Sequence, residues 1–357
     1  MDSAPNHDVF AKARGRGAAG NPRGRFTKHD AEATSDGWMM QEGPVLRTEL
    51  RREQARKIIT KNSSPDLSFD RSINPYRGCE HGCVYCFARP SHAFLDLSPG
   101  LDFETKLSVK PKAPELLAKE LSSPRYKVAP IAIGTNTDAY QPAELREGVM
   151  RRCLEVLREF KHPVMITTKG VMIERDIDIL SEMASEGLAS VGMSVTTLDA
   201  KLARQMEPRV PSPTRRLATI KRLSEAGIPV RICASPMIPG LTDHELEAIL
   251  EAGAEAGARA ASWVLLRLPF EVAGLFKEWL EREVPRQAAK VMSRVRESHG
   301  GKDYDPSWHK RMRGEGLYAQ MIAQRYRVAT RRFGLDRELE SLRCDLFRVP
   351  ERPGDQL

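Results

Sequence analysis

From about residue 66 the chain alternates between short apolar runs and longer amphipathic stretches. The runs cover 67–73, 128–134, 164–168, 189–195, 230–234 and 260–266, and each reads as a strand. Between them, helical periodicity runs over 114–121, 143–160, 177–184, 198–206, 214–226 and 243–256. In the second helical stretch Leu145, Val149, Cys153, Leu157 and Phe160 recur at spacings of three or four, which predicts one shared buried face. Thr242 and Glu245 have the spacing of a capping box at the start of the last stretch. Strict alternation of this kind implies parallel strands joined by crossover helices. Six units without a doubly wound switch point predict an α/β fold of the partial (β/α)6 barrel type, with its chemistry beyond the C-terminal strand ends.

The flanks have a different texture. Residues 1–60 are rich in Gly, Arg, Asn and Asp and poor in aliphatic side chains, so they cannot bury enough surface to offset their ordering entropy. They predict an irregular basic N-terminal arm, docked near Trp38. After Pro269 the pattern turns helical, at 275–280, 291–295 and 316–328, as expected of a helical C-terminal appendage. The expected division is therefore an arm over 1–60, the barrel over 61–275 and a helical region over 276–357.

Charge follows the same division. The net charge of +8 comes from 11 basic and 8 acidic groups in 1–60, 27 and 27 in 61–276, and 18 and 13 in 277–357. A neutral centre with basic flanks would meet a polyanion such as nucleic acid at its ends, although a solvated basic face has the same composition. No stretch approaches the roughly 18 apolar residues a membrane helix needs, and residues 1–10 lack the apolar run of a secretory signal, so a cytoplasmic protein without a membrane span is expected.

Six cysteines, three of them between positions 79 and 86, do not resemble a disulfide framework and point to metal or redox chemistry. In Asn74-Pro75-Tyr76-Arg77-Gly78-Cys79-Glu80-His81-Gly82-Cys83-Val84-Tyr85-Cys86-Phe87 the cysteines have C-x-x-x-C-x-x-C spacing just after the first strand. Three thiolates on one short loop can bind three corners of a cubane cluster, leaving the fourth iron without a protein ligand. A cluster used only for electron transfer normally takes a fourth cysteine, whereas an open iron suits binding of a substrate at the metal. Cys153, on an apolar helix face, reads as core. Cys233 could face into the barrel or outward, and Cys344 has no assigned role. The competing reading is a structural zinc with His81 or a distant residue as fourth ligand, in a nucleic-acid-binding module.

With this loop after the first strand of a partial barrel, and Tyr85 before the last cysteine, the chain resembles the radical S-adenosylmethionine superfamily. Asn74 to Cys79 and Cys86-Phe87-Ala88-Arg89 are similar to its spore photoproduct lyase-like, or DNA repair photolyase-like, branch, and the resemblance spans roughly 65–275. It implies a 4Fe-4S cluster on Cys79, Cys83 and Cys86 whose unique iron chelates S-adenosyl-L-methionine. A reducing partner such as a flavodoxin or ferredoxin would supply the electron that yields a 5′-deoxyadenosyl radical.

By the same resemblance Thr137 lies near the methionine amino group, and Lys169 and Ser194 hold the methionine carboxylate. Glu207 and Arg209 are suited to ribose hydroxyls or substrate, or else to an ion pair of their own; Arg89 and His92 are weaker candidates. One position departs from the branch: spore photoproduct lyases carry a hydrogen-donating cysteine two residues before the hydroxyl position, and here Thr135 stands there. A threonine O–H is far stronger than a thiol S–H, so a radical enzyme of unassigned substrate is expected, with a DNA-lesion lyase as the alternative and Cys233 as the substitute donor.

Overall fold

The computed structural model describes residues 15–26 and 46–351. Its strands are β1 (Glu49–Arg52), β2 (Ile59–Lys61), β3 (Arg71–Ile73), β4 (Tyr76–Arg77), β5 (Lys106–Val109), β6 (Ile131–Ile133), β7 (Val164–Thr168), β8 (Ala189–Ser194), β9 (Val230–Met237) and β10 (Ala260–Leu265). The helices are α1 (Leu101–Thr105), α2 (Ala113–Leu121), α3 (Glu144–Glu147), α4 (Val149–Glu159), α5 (Ile177–Ser185), α6 (Ala200–Met206), α7 (Pro213–Glu225), α8 (Leu246–Glu255), α9 (Glu271–Glu283), α10 (Pro285–Glu297) and α11 (Gly316–Arg332). Each of the six apolar runs contributes one strand to a seven-stranded sheet of order β10-β9-β8-β7-β6-β3-β2. Every neighbouring pair from β3 to β10 is parallel, and sheet order follows chain order without reversal.

One face of this sheet is the core. Ile131, Ile133, Ile166, Val191, Met193, Val230 and Ile232 are buried against Leu117, Leu154, Leu157, Ile179, Leu180, Ile220, Leu223 and Ile249 of the crossover helices. Each such side chain contributes on the order of 1.5–3 kcal/mol by leaving water. The opposite face alternates out of phase and carries small or polar residues, among them Gly192, Ser194 and Cys233. Ser194 and Cys233 are register partners, and a side chain on Gly192 would meet Cys233 Sγ at 3.1 Å.

Two local expectations fail for identifiable reasons. The helix expected over 143–160 breaks at Gly148, which has φ +59°, into α3 and α4. The break takes Leu145 off the shared face, leaving it 73% exposed, while Val149, Cys153, Leu157 and Phe160 stay buried in the core. Thr242 and Glu245 form no capping box: the Thr242 hydroxyl accepts from Ile238 N at 3.0 Å, and the Glu245 carboxylate accepts from Leu198 N at 3.2 Å and from the Thr197 hydroxyl, tying down the loop after β8.

The N-terminal region is not uniformly irregular. Residues 15–26 have no regular structure, but β1 pairs with β5 in a small second sheet of order β1-β5-β4, and β2 forms an antiparallel edge on β3. The expected docking at Trp38 lies outside the described residues. In the C-terminal region, Phe276, Trp279, Leu280, Val291 and Val295 of α9 and α10 share one apolar cluster with Val84 and Tyr85 of the cysteine loop. Among the described residues no helix is long and apolar enough to cross a membrane.

Candidate active site at the cysteine loop

The loop from Gly78 to Phe87 leaves β4 and is held by backbone contacts rather than regular structure. Cys79 N donates to Phe103 O (2.9 Å), Val84 N to Met206 O (3.0 Å), and Gln141 bridges the turn by accepting from Glu80 N (2.8 Å) and donating to Gly78 O (3.2 Å). Gly82 has φ +67°, and a Cβ there would lie 2.8 Å from Glu104 Oε2, so only glycine fits between His81 and Cys83. All six cysteines are free thiols. Burial, together with the negative charge of Asp138 at Cys79 and of Glu207 at Cys83, pushes both thiols above the usual range, so a metal must displace their protons on binding.

Cys79, Cys83 and Cys86 border one cleft together with Thr135, Thr137, Asp138, Lys169 and Ser194. The ends of three successive core strands thus bring Thr137, Lys169 and Ser194 to a common space with the three cysteines, across more than a hundred positions of chain. Thr137 is buried and donates to Tyr76 O at 3.2 Å. Lys169 Nζ lies 5.8 Å from the centroid of the Tyr85 ring. Ser194 sits at the C-terminal end of β8.

The unforeseen centre of the site is Asp138. Its carboxylate accepts from Thr168 Oγ1 (2.6 Å), Lys169 N (2.8 Å) and Tyr140 N (2.9 Å) and pairs with His81 Nδ1 (3.3 Å). Burial favours the neutral acid, but the pairing with His81 and these hydrogen bonds outweigh it and hold the carboxyl at about 2. Asp138 thereby ties the cysteine loop to the end of β7. In sequence the only signal was an acidic residue next to Thr137, which does not distinguish a hub from a solvated strand end.

His81 Nδ1 pairs with Asp138, which fixes the orientation of its ring and leaves Nε2 outside that pair. A single zinc ion needs four donors around one point. Among the described residues no three His, Cys, Asp or Glu side chains are so gathered. Three free thiols bordering one cleft are a donor set that fits a cluster bound at three corners.

Other candidates lie elsewhere. Glu207 is 1% exposed and pairs with Arg216 (2.9 Å), while Arg209 pairs with Glu80 (3.4 Å), so the two do not pair with each other and the Glu207 carboxylate is not free for a ribose. Arg89 is buried behind the cysteine loop, and His92 Nε2 bonds Lys106 O at 3.0 Å. Cys153 is core, and Cys344 is half-buried near the C-terminus.

Residues 73–253 match the family model of the Radical SAM superfamily. An uncharacterised protein of Mycobacterium tuberculosis is 37% identical over 265 residues, covering 74% of this chain and 76% of the relative. One of Methanocaldococcus jannaschii is 27% identical over 197 residues, covering 55% of this chain and 71% of the relative. Among solved structures, a spore photoproduct lyase mutant superposes with a TM-score of 0.56 at 16% identity, covering 80% of this chain and 78% of that one. Spore photoproduct lyase complexed with dinucleoside spore photoproduct gives 0.55 at 15% identity with the same coverage. At these identities the likeness is one of fold. The family model, the fold and the relatives lead to one conclusion: the chain belongs to the radical SAM superfamily, and is an enzyme that works with S-adenosylmethionine and an iron–sulfur cluster.

Proposed function

We propose that Cys79, Cys83 and Cys86 hold a 4Fe-4S cluster, that S-adenosylmethionine lies in the adjoining cleft, and that the six-stranded parallel array serves as the partial barrel around them. The observation carrying this reading is the convergence of the three thiols with Thr137, Lys169 and Ser194 on one cleft. When bound and reduced, the pair supplies a 5′-deoxyadenosyl radical able to take a hydrogen atom from a substrate. The chain's own residues bind and orient. Lys169 offers a cation and Ser194 a hydroxyl to the methionine carboxylate, and Thr137 a hydroxyl near its amino group. Asp138 fixes the backbone of Lys169 and the ring of His81, keeping cleft wall and cysteine loop in register. A flavodoxin- or ferredoxin-like electron donor and a cytoplasmic location belong to this reading.

The direct test is iron and sulfide analysis after anaerobic reconstitution. Four irons per chain, lost together in Cys79→Ala, Cys83→Ala or Cys86→Ala, are expected; stoichiometric zinc without sulfide would refute the assignment.

A second reading, action on nucleic acid as a DNA-lesion lyase, is favoured by the mouth of the cleft. Phe87 is 44% exposed there with the Arg267 guanidinium 4.0 Å from its ring centroid, a pairing on which an unpaired base can stack. The spore photoproduct lyase fold and the basic flanks agree with it. Thr135 does not replace a thiol hydrogen donor, so Cys233, on the sheet face that carries Ser194, is the available one. Binding of single-stranded oligonucleotides should weaken with salt and with Phe87→Ala; binding indifferent to both would leave the first reading alone.

A further inference from the structure

We infer that the N-terminal arm is part of the apparatus that holds the cluster: Arg16, Gly17 and Ala18 brace the back of the cysteine loop through Glu104, making Glu104 and Arg89 positioning residues for the three thiols. The inference rests on the reading that this loop binds the cluster. The arm lies far upstream of the loop and outside the stretch that matches the family model.

The contacts form a closed set. The Arg89 guanidinium is wholly buried and donates from Nε to Cys83 O (3.0 Å), from Nη2 to Gly82 O (3.2 Å) and Glu104 Oε1 (2.5 Å), and from Nη1 to Pro99 O (3.0 Å) and Gly100 O (2.9 Å). One cation thus fixes two successive carbonyls of the loop, the second belonging to a ligand cysteine. Glu104, equally buried, balances that charge and spends its remaining acceptor capacity on the arm: Oε1 accepts from Ala18 N (2.9 Å) and Oε2 from Gly17 N (2.9 Å). Arg16, 2% exposed, donates from Nη1 to Glu104 O (2.7 Å) and from Nη2 to Leu46 O (2.8 Å) and Thr48 Oγ1 (3.0 Å).

The arm's backbone also lies flush on the loop. A Cβ built at Gly17 would stand 1.8 Å from Gly82 O, whereas one built at Gly20 meets nothing within 4 Å. A buried ion pair is tolerable only when its remaining hydrogen-bonding sites are satisfied. Two of those partners come from the arm. Lifting the arm therefore leaves Glu104 Oε2 unsatisfied and frees the turn that carries Cys83. Outer contacts of this kind orient metal ligands, and the shielding around a cluster governs its potential and its exposure to oxygen.

The test uses the full chain, reconstituted anaerobically, with Gly17→Ala, Arg16→Met and, as control, Gly20→Ala. The readouts are the decay of the cluster's visible absorption on exposure to air, its midpoint potential, and thermal unfolding of the iron-free protein. Gly17→Ala should lose its cluster on the order of 10–100-fold faster, with a shifted midpoint potential, and its iron-free form should unfold at a lower temperature because a buried Glu104 oxygen loses its donor. Arg16→Met, which keeps the arm's backbone, should move in the same direction, and Gly20→Ala should match the unsubstituted protein. Unsubstituted decay and potential in both Gly17→Ala and Arg16→Met would overturn the inference while leaving the cluster assignment standing. Full iron retention in Cys79→Ala would overturn that assignment and the brace with it.

Discussion

Arg216 Nη2 stands 2.9 Å from Glu207 Oε2, with both side chains shut off from water. The same guanidinium donates to Ser194 O at 2.8 Å, and the same carboxylate accepts from Thr196 Oγ1 at 2.8 Å and from the Tyr85 hydroxyl. One ion pair thereby joins the end of β8 to the residue before the third cysteine. Burial would raise the Glu207 carboxyl, but Arg216, Lys169 and the two hydroxyl donors outweigh it and keep the carboxylate ionised. Removing one partner leaves a buried charge uncompensated, so Arg216→Met should cost about 3–5 kcal/mol in urea unfolding. The double variant Arg216→Met with Glu207→Gln should regain a large part of that loss. A double variant no better than the single one would mean that the pair is not coupled as described.

Lys169 offers a cation on the cleft wall, with its backbone anchored by Asp138. If it holds a carboxylate, Lys169→Met removes a charged hydrogen bond worth about 1.5–3 kcal/mol, a loss of roughly 10- to 100-fold in affinity for S-adenosylmethionine. Equilibrium dialysis with labelled S-adenosylmethionine on reconstituted protein reads this directly. Iron content should not change, since Lys169 is no ligand; unaltered affinity would remove it from the site.

His162 is fully buried before β7, with Nδ1 bonded to Pro163 O at 2.9 Å. A carbonyl can only accept, so Nδ1 carries the proton and Nε2 accepts from the Tyr126 hydroxyl at 2.7 Å. Burial lowers its pKa from the ordinary 6.5 to about 4, against the opposing Pro163 bond. Between these values the unfolded chain binds a proton that the folded chain refuses. This contribution is therefore fully present above pH 6.5 and is lost as pH falls toward 4, by about 3 kcal/mol in all. Urea midpoints measured across that window should slope upward with pH, and His162→Asn should flatten the slope; an equal slope in the variant would contradict the assignment.

The strands were legible because their apolar runs alternate with amphipathic helices, and the cysteine loop because its spacing is confined to eight residues. What escaped notice depends on contacts across the chain. Leu145 carries the right period, but Gly148 adopts a left-handed conformation that turns its helix away from the core. Glu245 has capping spacing, yet the loop after β8 offers it Leu198 N and the Thr197 hydroxyl. Residues 49–52 and 59–61 lack an apolar signature because they are short edge segments whose pairing is supplied by β5 and β3. Within the site, Thr137, Lys169 and Ser194 were reached through family resemblance. Asp138, Glu104 and Arg216 work by burial and partner choice, which spacing does not encode.

The central claim is that this site cleaves S-adenosylmethionine by one-electron reduction. Its most direct test is to reconstitute the protein anaerobically, add S-adenosylmethionine and dithionite, and quantify 5′-deoxyadenosine. The unsubstituted enzyme should release 5′-deoxyadenosine and methionine in equal amounts, and Cys79→Ala, Cys83→Ala and Cys86→Ala should release none above the protein-free background. No 5′-deoxyadenosine from a fully loaded enzyme, or undiminished release from any of the three variants, would contradict the account.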